Sequence, residues 1–124
     1  MKINQLIADL YGCNSTINDP ALCETLLRDA AEAVGATIVN ESMTSYPEHG
    51  LTAIAVLAES HIMLTTWPEY DYAALDVLLC NPDMDIEVVL EKVVAALEPA
   101  KGVEKQIVTR GISAAPTGAS SSET

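Results

Sequence analysis

The chain has 124 residues, enough for one domain with a modest core, and close to half of them are apolar. Its formal net charge is −12 with only six Lys and Arg, which argues against nucleic acid as a partner, because phosphates call for clustered basic side chains. With no phenylalanine and one tryptophan, packing must come from Ile, Leu, Val and Ala.

No apolar stretch is long enough to span a bilayer, and the first residues lack the charged-then-greasy order of a signal peptide. The expectation is a soluble, cytoplasmic chain with no membrane partner. Three cysteines, at 13, 23 and 80, fit neither a disulfide framework nor a zinc site, and two histidines are too few for a histidine-rich metal site. Free thiols and no metal are expected. An acidic surface suits a solvated protein, and it also attracts a cationic substrate such as a sulfonium or an amine.

Ile3 to Tyr11 reads as a strand ending at Gly12. Asp19-Pro20 offers an N-cap with proline at the first helical position. Leu22, Leu26, Ala30 and Val34 then form one apolar stripe on a helix that stops at Gly35. A second strand starts at Ala36 and extends to about Tyr46, with a turn at Pro47-Glu-His-Gly50. Leu51 to Ala58 and Ile62 to Trp67 are apolar runs of strand length flanking Glu59-Ser60-His61. With no Gly or Pro between them, they read most simply as one long strand broken by a bend or bulge. Pro68 ends that run, since proline cannot donate to a ladder. Tyr72 to Cys80 is another strand.

Asp85 is a plausible cap for a second helix, along which Ile86, Val89, Leu90, Val93, Val94 and Leu97 keep helical spacing up to Pro99 and Gly102. Val103 to Ile112 suggests a last strand. The order β-α-β-β-β-α-β, with the central run counted as one or two strands, predicts an α+β two-layer sandwich. Two helices would cover one face of a mixed or antiparallel sheet. Residues 1–112 form the domain, and the Ser-, Ala- and Gly-rich tail 113–124 is expected to be disordered.

Read by itself, Ser60 is a serine beside a histidine. Neighbouring residues on a strand point to opposite faces, so His61 is poorly placed as its base. No G-x-S-x-G elbow and no Gly-rich phosphate loop accompany it. Taken in order, however, five blocks form a pattern: Gln5-Leu-Ile-Ala-Asp-Leu-Tyr-Gly-Cys13, Gly35-Ala-Thr-Ile-Val39, Leu57-Ala-Glu-Ser-His61, Thr66-Trp-Pro-Glu69, and Tyr72-Ala-Ala-Leu-Asp76 with Cys80. Together they resemble the small bacterial and archaeal S-adenosylmethionine decarboxylases, across nearly the whole chain before the tail.

The resemblance implies a proenzyme that breaks at Glu59–Ser60 and turns Ser60 into a pyruvoyl cofactor. That group would bind the amine of S-adenosylmethionine as a Schiff base and accept the electrons left by departing carbon dioxide. The product would be the aminopropyl donor of spermidine synthesis. The same resemblance makes Cys80 the donor of the returning proton and Tyr46 the platform for adenine. It makes Glu69 the acceptor for the ribose hydroxyls, and adds Leu57 and Asp9 to the substrate-binding positions. It also implies a homodimer with sites near the subunit interface.

Two positions depart from the family pattern within the processing set of Glu59, Ser60, Thr52, Thr65 and His61. Thr52 stands where the family has serine, which keeps a hydroxyl. Thr65 stands where it has the histidine that assists elimination, and threonine is no base near neutral pH. His49 is another base within the chain. Two alternatives follow: a pyruvoyl enzyme for ornithine or arginine, or an unprocessed, non-catalytic paralogue.

Overall fold

The computed structural model of the chain describes residues 1–112; the tail 113–124, expected to be disordered, lies outside them. Strand β1 (Lys2–Tyr11) is followed by helix α1 (Pro20–Ala33), then by β2 (Ile38–Ser45), β3 (Leu51–Leu57), β4 (Ser60–Trp67) and β5 (Tyr72–Leu79). Helix α2 (Ile86–Leu97) and strand β6 (Gly102–Gly111) complete the domain, with short 3-10 turns at Ser15–Asn18 and Pro68–Tyr70. The strands form one sheet in the order β2-β3-β4-β5-β1-β6. Every pairing is antiparallel, which resolves the expected choice between a mixed and an antiparallel sheet.

Local chemistry explains both helices. The Asp19 carboxylate accepts the Leu22 N–H at 3.1 Å and Pro20 opens α1, while the Asp85 carboxylate accepts the Glu87 N–H at 2.9 Å. The buried face of α1 is Cys23, Leu26, Leu27, Ala30 and Ala31. Leu22, expected in that stripe, is half exposed on the first turn. Helix α2 buries Ile86, Val89, Leu90, Val93 and Leu97, close to the expected set. It ends at Glu98, in a left-handed conformation with its N–H on the Val94 carbonyl, ahead of Pro99.

Both helices cover the same face of the sheet. Strands β3 and β5 alternate buried and half-buried residues, as one covered face requires. Leu6, Ala8 and Leu10 of β1, Ala53 and Ala55 of β3, Ile62 and Leu64 of β4, and Leu75 and Val77 of β5 point into that core. No second layer covers the opposite face among the described residues. Ile7, Val56 and Trp67 are exposed there, beside the half-buried Ile54 and Met63.

The central apolar run is two strands, reversed over Ala58-Glu59 so that Leu57 pairs with Ser60. Tight hairpins ordinarily need glycine or asparagine at positive φ. Here neither loop residue has positive φ; Ser60, the residue after the loop, takes φ +142 instead. No glycine signalled the reversal because bonds to distant segments hold the turn.

Candidate active site

Three hydrogen bonds pin the Glu59–Ser60 turn, and all come from outside the hairpin. Ala58 donates its N–H to the Thr37 carbonyl at 2.8 Å. Thr37, in the loop between α1 and β2, donates its own N–H to the Glu59 carboxylate at 3.1 Å. Cys80, just past the end of β5, donates its N–H to the Glu59 carbonyl oxygen at 3.0 Å. At φ +142, Ser60 lies in a region that is nearly exclusive to glycine, where a side chain costs about 1–3 kcal/mol. Its hydroxyl has no hydrogen-bond partner among the described residues. The turn therefore presents a free nucleophile next to a carbonyl whose oxygen already faces an N–H.

The Cys80 bond also brings an exposed thiol to this end of the sheet. The other two cysteines are buried. Burial, with Asp71 nearby, pushes the Cys13 thiol up to about 11, and burial near Asp19 does the same for Cys23. Of the three thiols, only that of Cys80 is open to solvent. Leu57, at the base of the hairpin, is 4% exposed with its side chain in the core, so it can offer a ligand only main-chain groups.

The remaining expected residues sit elsewhere. Thr65 lies five residues along β4 from Ser60, about 16 Å away at ordinary strand rise. There the Tyr46 and Thr52 hydroxyls are 2.8 Å apart and those of Thr52 and Thr65 are 3.3 Å apart, forming a row from the end of β2 across β3 to β4. The 47% exposed ring of Tyr46 borders solvent beside them. Glu69 pairs with His49, Oε1 to Nε2 at 3.2 Å, at the same end. The turn bearing Tyr46 and His49 depends on Gly50: at φ +93, a Cβ added there would stand 2.7 Å from the Thr66 carbonyl oxygen. Asp9, opposite Ala74 and level with Thr65, accepts the Tyr72 hydroxyl at 2.5 Å. That bond and burial push the Tyr72 phenol up to about 12.

Sequence reasoning missed the aromatic row beside Asp9. The rings of Tyr11 and Tyr72 stack at 5.5 Å between centroids, and those of Tyr72 and Trp67 at 5.1 Å. The strand register that aligns them leaves no local signature. His61, next to Ser60 on β4, faces Asp76 across the sheet, Nε2 to Oδ1 at 3.8 Å, and Gln5 donates to the same carboxylate at 3.3 Å. Among the described residues, no group of three or more His, Cys, Asp or Glu could hold a metal ion, and no helix is long and apolar enough to cross a membrane.

An open-faced α+β sandwich with a strained Glu-Ser turn at one sheet end defines the structural class. The family model described as S-adenosylmethionine decarboxylase matches residues 4–111, and the chain belongs to that family. It is 36% identical over 108 residues to the S-adenosylmethionine decarboxylase proenzyme of Methanococcus maripaludis, covering 86% of this chain and 88% of that protein. With the proenzyme of Thermosipho melanesiensis it shares 41% identity over 81 residues, covering 64% of this chain and 62% of the relative. The crystal structure of the adenosylmethionine decarboxylase from Aquifex aeolicus VF5 superposes with a TM-score of 0.83 at 29% identity, covering 94% of this chain and 96% of that one.

Proposed function

We propose that the chain cuts itself between Glu59 and Ser60 and uses the pyruvoyl group so formed to decarboxylate S-adenosylmethionine. The product is the aminopropyl donor of spermidine synthesis. The observation that carries this reading is the Ser60 turn: a free hydroxyl and strained backbone, with an N–H on the adjacent carbonyl, in a member of this family. The relatives' names favour this substrate over ornithine or arginine.

The cut balances with one water as the only added reactant. Ser60 Oγ adds to the Glu59 carbonyl carbon while the Cys80 N–H stabilises the charge growing on its oxygen. The C–N bond breaks as the hydroxyl proton passes to the Ser60 nitrogen, leaving the Glu59 acyl group as an ester on Ser60 and freeing the Ser60 amine. Loss of the Ser60 Cα proton expels the Glu59 carboxylate and leaves dehydroalanine. Water then releases ammonia, and the downstream fragment begins with pyruvoyl. That group supplies an electron sink for decarboxylation. The exposed Cys80 thiol beside it is suited to return a proton to the substrate's α-carbon.

The adenosyl-binding set of Tyr46, Glu69 and Asp9 lies at the other end of β4, too far from Ser60 to share its ligand within one copy. A homodimer resolves this separation. Two copies packed open face to open face, about a two-fold axis crossing β4 near Met63, set the Ser60 end of one against the Thr65 end of the other. The exposed Ile7 and Val56 with the half-buried Ile54 and Met63 give such an interface its apolar centre. Met63→Glu is expected to yield monomers in sedimentation and to abolish decarboxylation. A Met63→Glu protein that stays dimeric and active refutes this arrangement.

Intact mass over time tests the whole reading. Fragments 1–59 and 60–124 should appear, the second blocked by a carbonyl that hydroxylamine captures. A chain that stays whole and carbonyl-free, however long it is incubated, refutes it and leaves the non-catalytic paralogue.

A further inference from the structure

Glu59 is held twice, from two directions. Its carbonyl oxygen takes the Cys80 N–H at 3.0 Å from the end of β5. Its carboxylate takes the Thr37 N–H at 3.1 Å from the α1–β2 loop. The same Thr37 accepts the Ala58 N–H at 2.8 Å, so one residue of the loop grips both residues of the turn. The loop is itself tied to the helix, with Gly35 N–H on the Glu32 carbonyl at 3.0 Å and Ala36 N–H on the Ala31 carbonyl at 2.9 Å.

A short turn carrying serine at φ +142 would ordinarily relax by rotating the peptide ahead of it. Here that peptide carries the Glu59 carbonyl, so its rotation breaks the Cys80 bond, and any accompanying shift of the Glu59 Cα pulls against the Thr37–carboxylate bond. The geometry points to the Glu59 side chain as a positioning residue for self-cleavage: anchored on the Thr37 main chain, it keeps Ser60 in its unfavourable backbone conformation. This rests on the self-cleavage reading above and adds a role for a side chain that the bond-breaking chemistry does not use. The anchor also survives the cut. Cleavage converts the Glu59 main-chain carbonyl into a carboxylate but leaves its side chain and Thr37 untouched, so the new chain end stays docked beside the new cofactor.

Two measurements test the anchor. The first is the self-cleavage rate, by intact mass, of Glu59→Gln, Glu59→Asp and Glu59→Ala beside the unaltered chain. Gln keeps an acceptor oxygen at the same reach, Asp draws it back by one methylene, and Ala has none. Loss of this hydrogen bond predicts that Ala cleaves about ten-fold or more slowly and that Asp is also slowed, while Gln, which keeps a neutral bond, stays nearer the original rate than Ala does. Equal rates in all four proteins overturn the proposal, as does Gln slowed as far as Ala.

The second measurement needs no cleavage. In the uncleavable backgrounds Ser60→Gly and Ser60→Ala, the Tm gap between the two reads the strain at position 60. Adding Glu59→Ala should close that gap and adding Glu59→Gln should preserve it. A gap indifferent to Glu59→Ala overturns the anchor even if the unaltered chain never cuts. An uncut chain whose gap does close refutes the proposed function alone.

Discussion

Replacing Ser60 by glycine should make the protein more stable than replacing it by alanine, the reverse of the usual order. Both changes remove Oγ, so neither variant can cleave and both report on an intact chain. Neither loses a side-chain hydrogen bond, because the Ser60 hydroxyl makes none among the described residues. They differ in backbone tolerance. At φ +142 a Cβ costs about 1–3 kcal/mol that glycine does not incur. Glycine gives back roughly 0.5–1 kcal/mol through the greater freedom of its unfolded chain. The net advantage is about 1 kcal/mol at the midpoint of these ranges and about 2.5 kcal/mol at most. Unfolding entropy of roughly 2.1 cal/mol/K per residue over the domain converts the midpoint to a Tm about 5 °C higher for Ser60→Gly. Calorimetry or thermal circular dichroism at neutral pH reads it directly. If Ser60→Ala melts at the same temperature or above, the turn stores no strain and the physical case for a primed Glu59–Ser60 bond fails.

Other outcomes follow from the same geometry. Thr65→His restores an imidazole where the family pattern has one, and should speed fragment formation by about ten-fold or more. An unchanged time course on gels would mean that this position does not limit the cut. At pH 8 a soluble thiol reagent should label Cys80 alone in the folded protein and all three cysteines in denaturant, because Cys13 and Cys23 are buried with thiols pushed up to about 11. Fast labelling of a second site in the folded state contradicts that burial. The same two shifts contribute to the alkaline limit of stability. Above their ordinary value of 9.0 the unfolded chain loses thiol protons that the folded chain keeps, so stability is full below about pH 9 and falls as pH rises towards 11. Cys23→Ser should flatten that part of a urea-midpoint profile against pH. An unchanged slope would assign the loss to other groups.

Much of the fold is written in local chemistry. Asp19-Pro20 and Asp85 start both helices because a carboxylate satisfies free N–H groups wherever the chain can turn helical. Apolar runs of strand length at Leu51–Leu57 and Tyr72–Leu79 specify strands from their neighbours in sequence, while the alternation of buried and half-buried side chains along them appears only in the folded sheet. The Glu-Ser-His and Trp-Pro-Glu blocks likewise pointed to the family without coordinates.

What the tertiary structure alone decided is where those residues stand and what holds them. The reversal at Ala58-Glu59 carries no turn residue, because its partners, Thr37 and Cys80, are about twenty residues away on either side and meet it only after the sheet forms. The unfavourable φ of Ser60 arises from the same distant bonds. The row of Tyr46, Thr52 and Thr65 and the stack of Tyr11, Tyr72 and Trp67 depend on strand register, a property of pairs of segments rather than of any one. Ser60 and Thr65, only five residues apart, are driven towards opposite ends of β4 by the 3.3 Å or so that each strand residue adds. A line of letters therefore names candidate groups, while the folded sheet sets how far apart they stand.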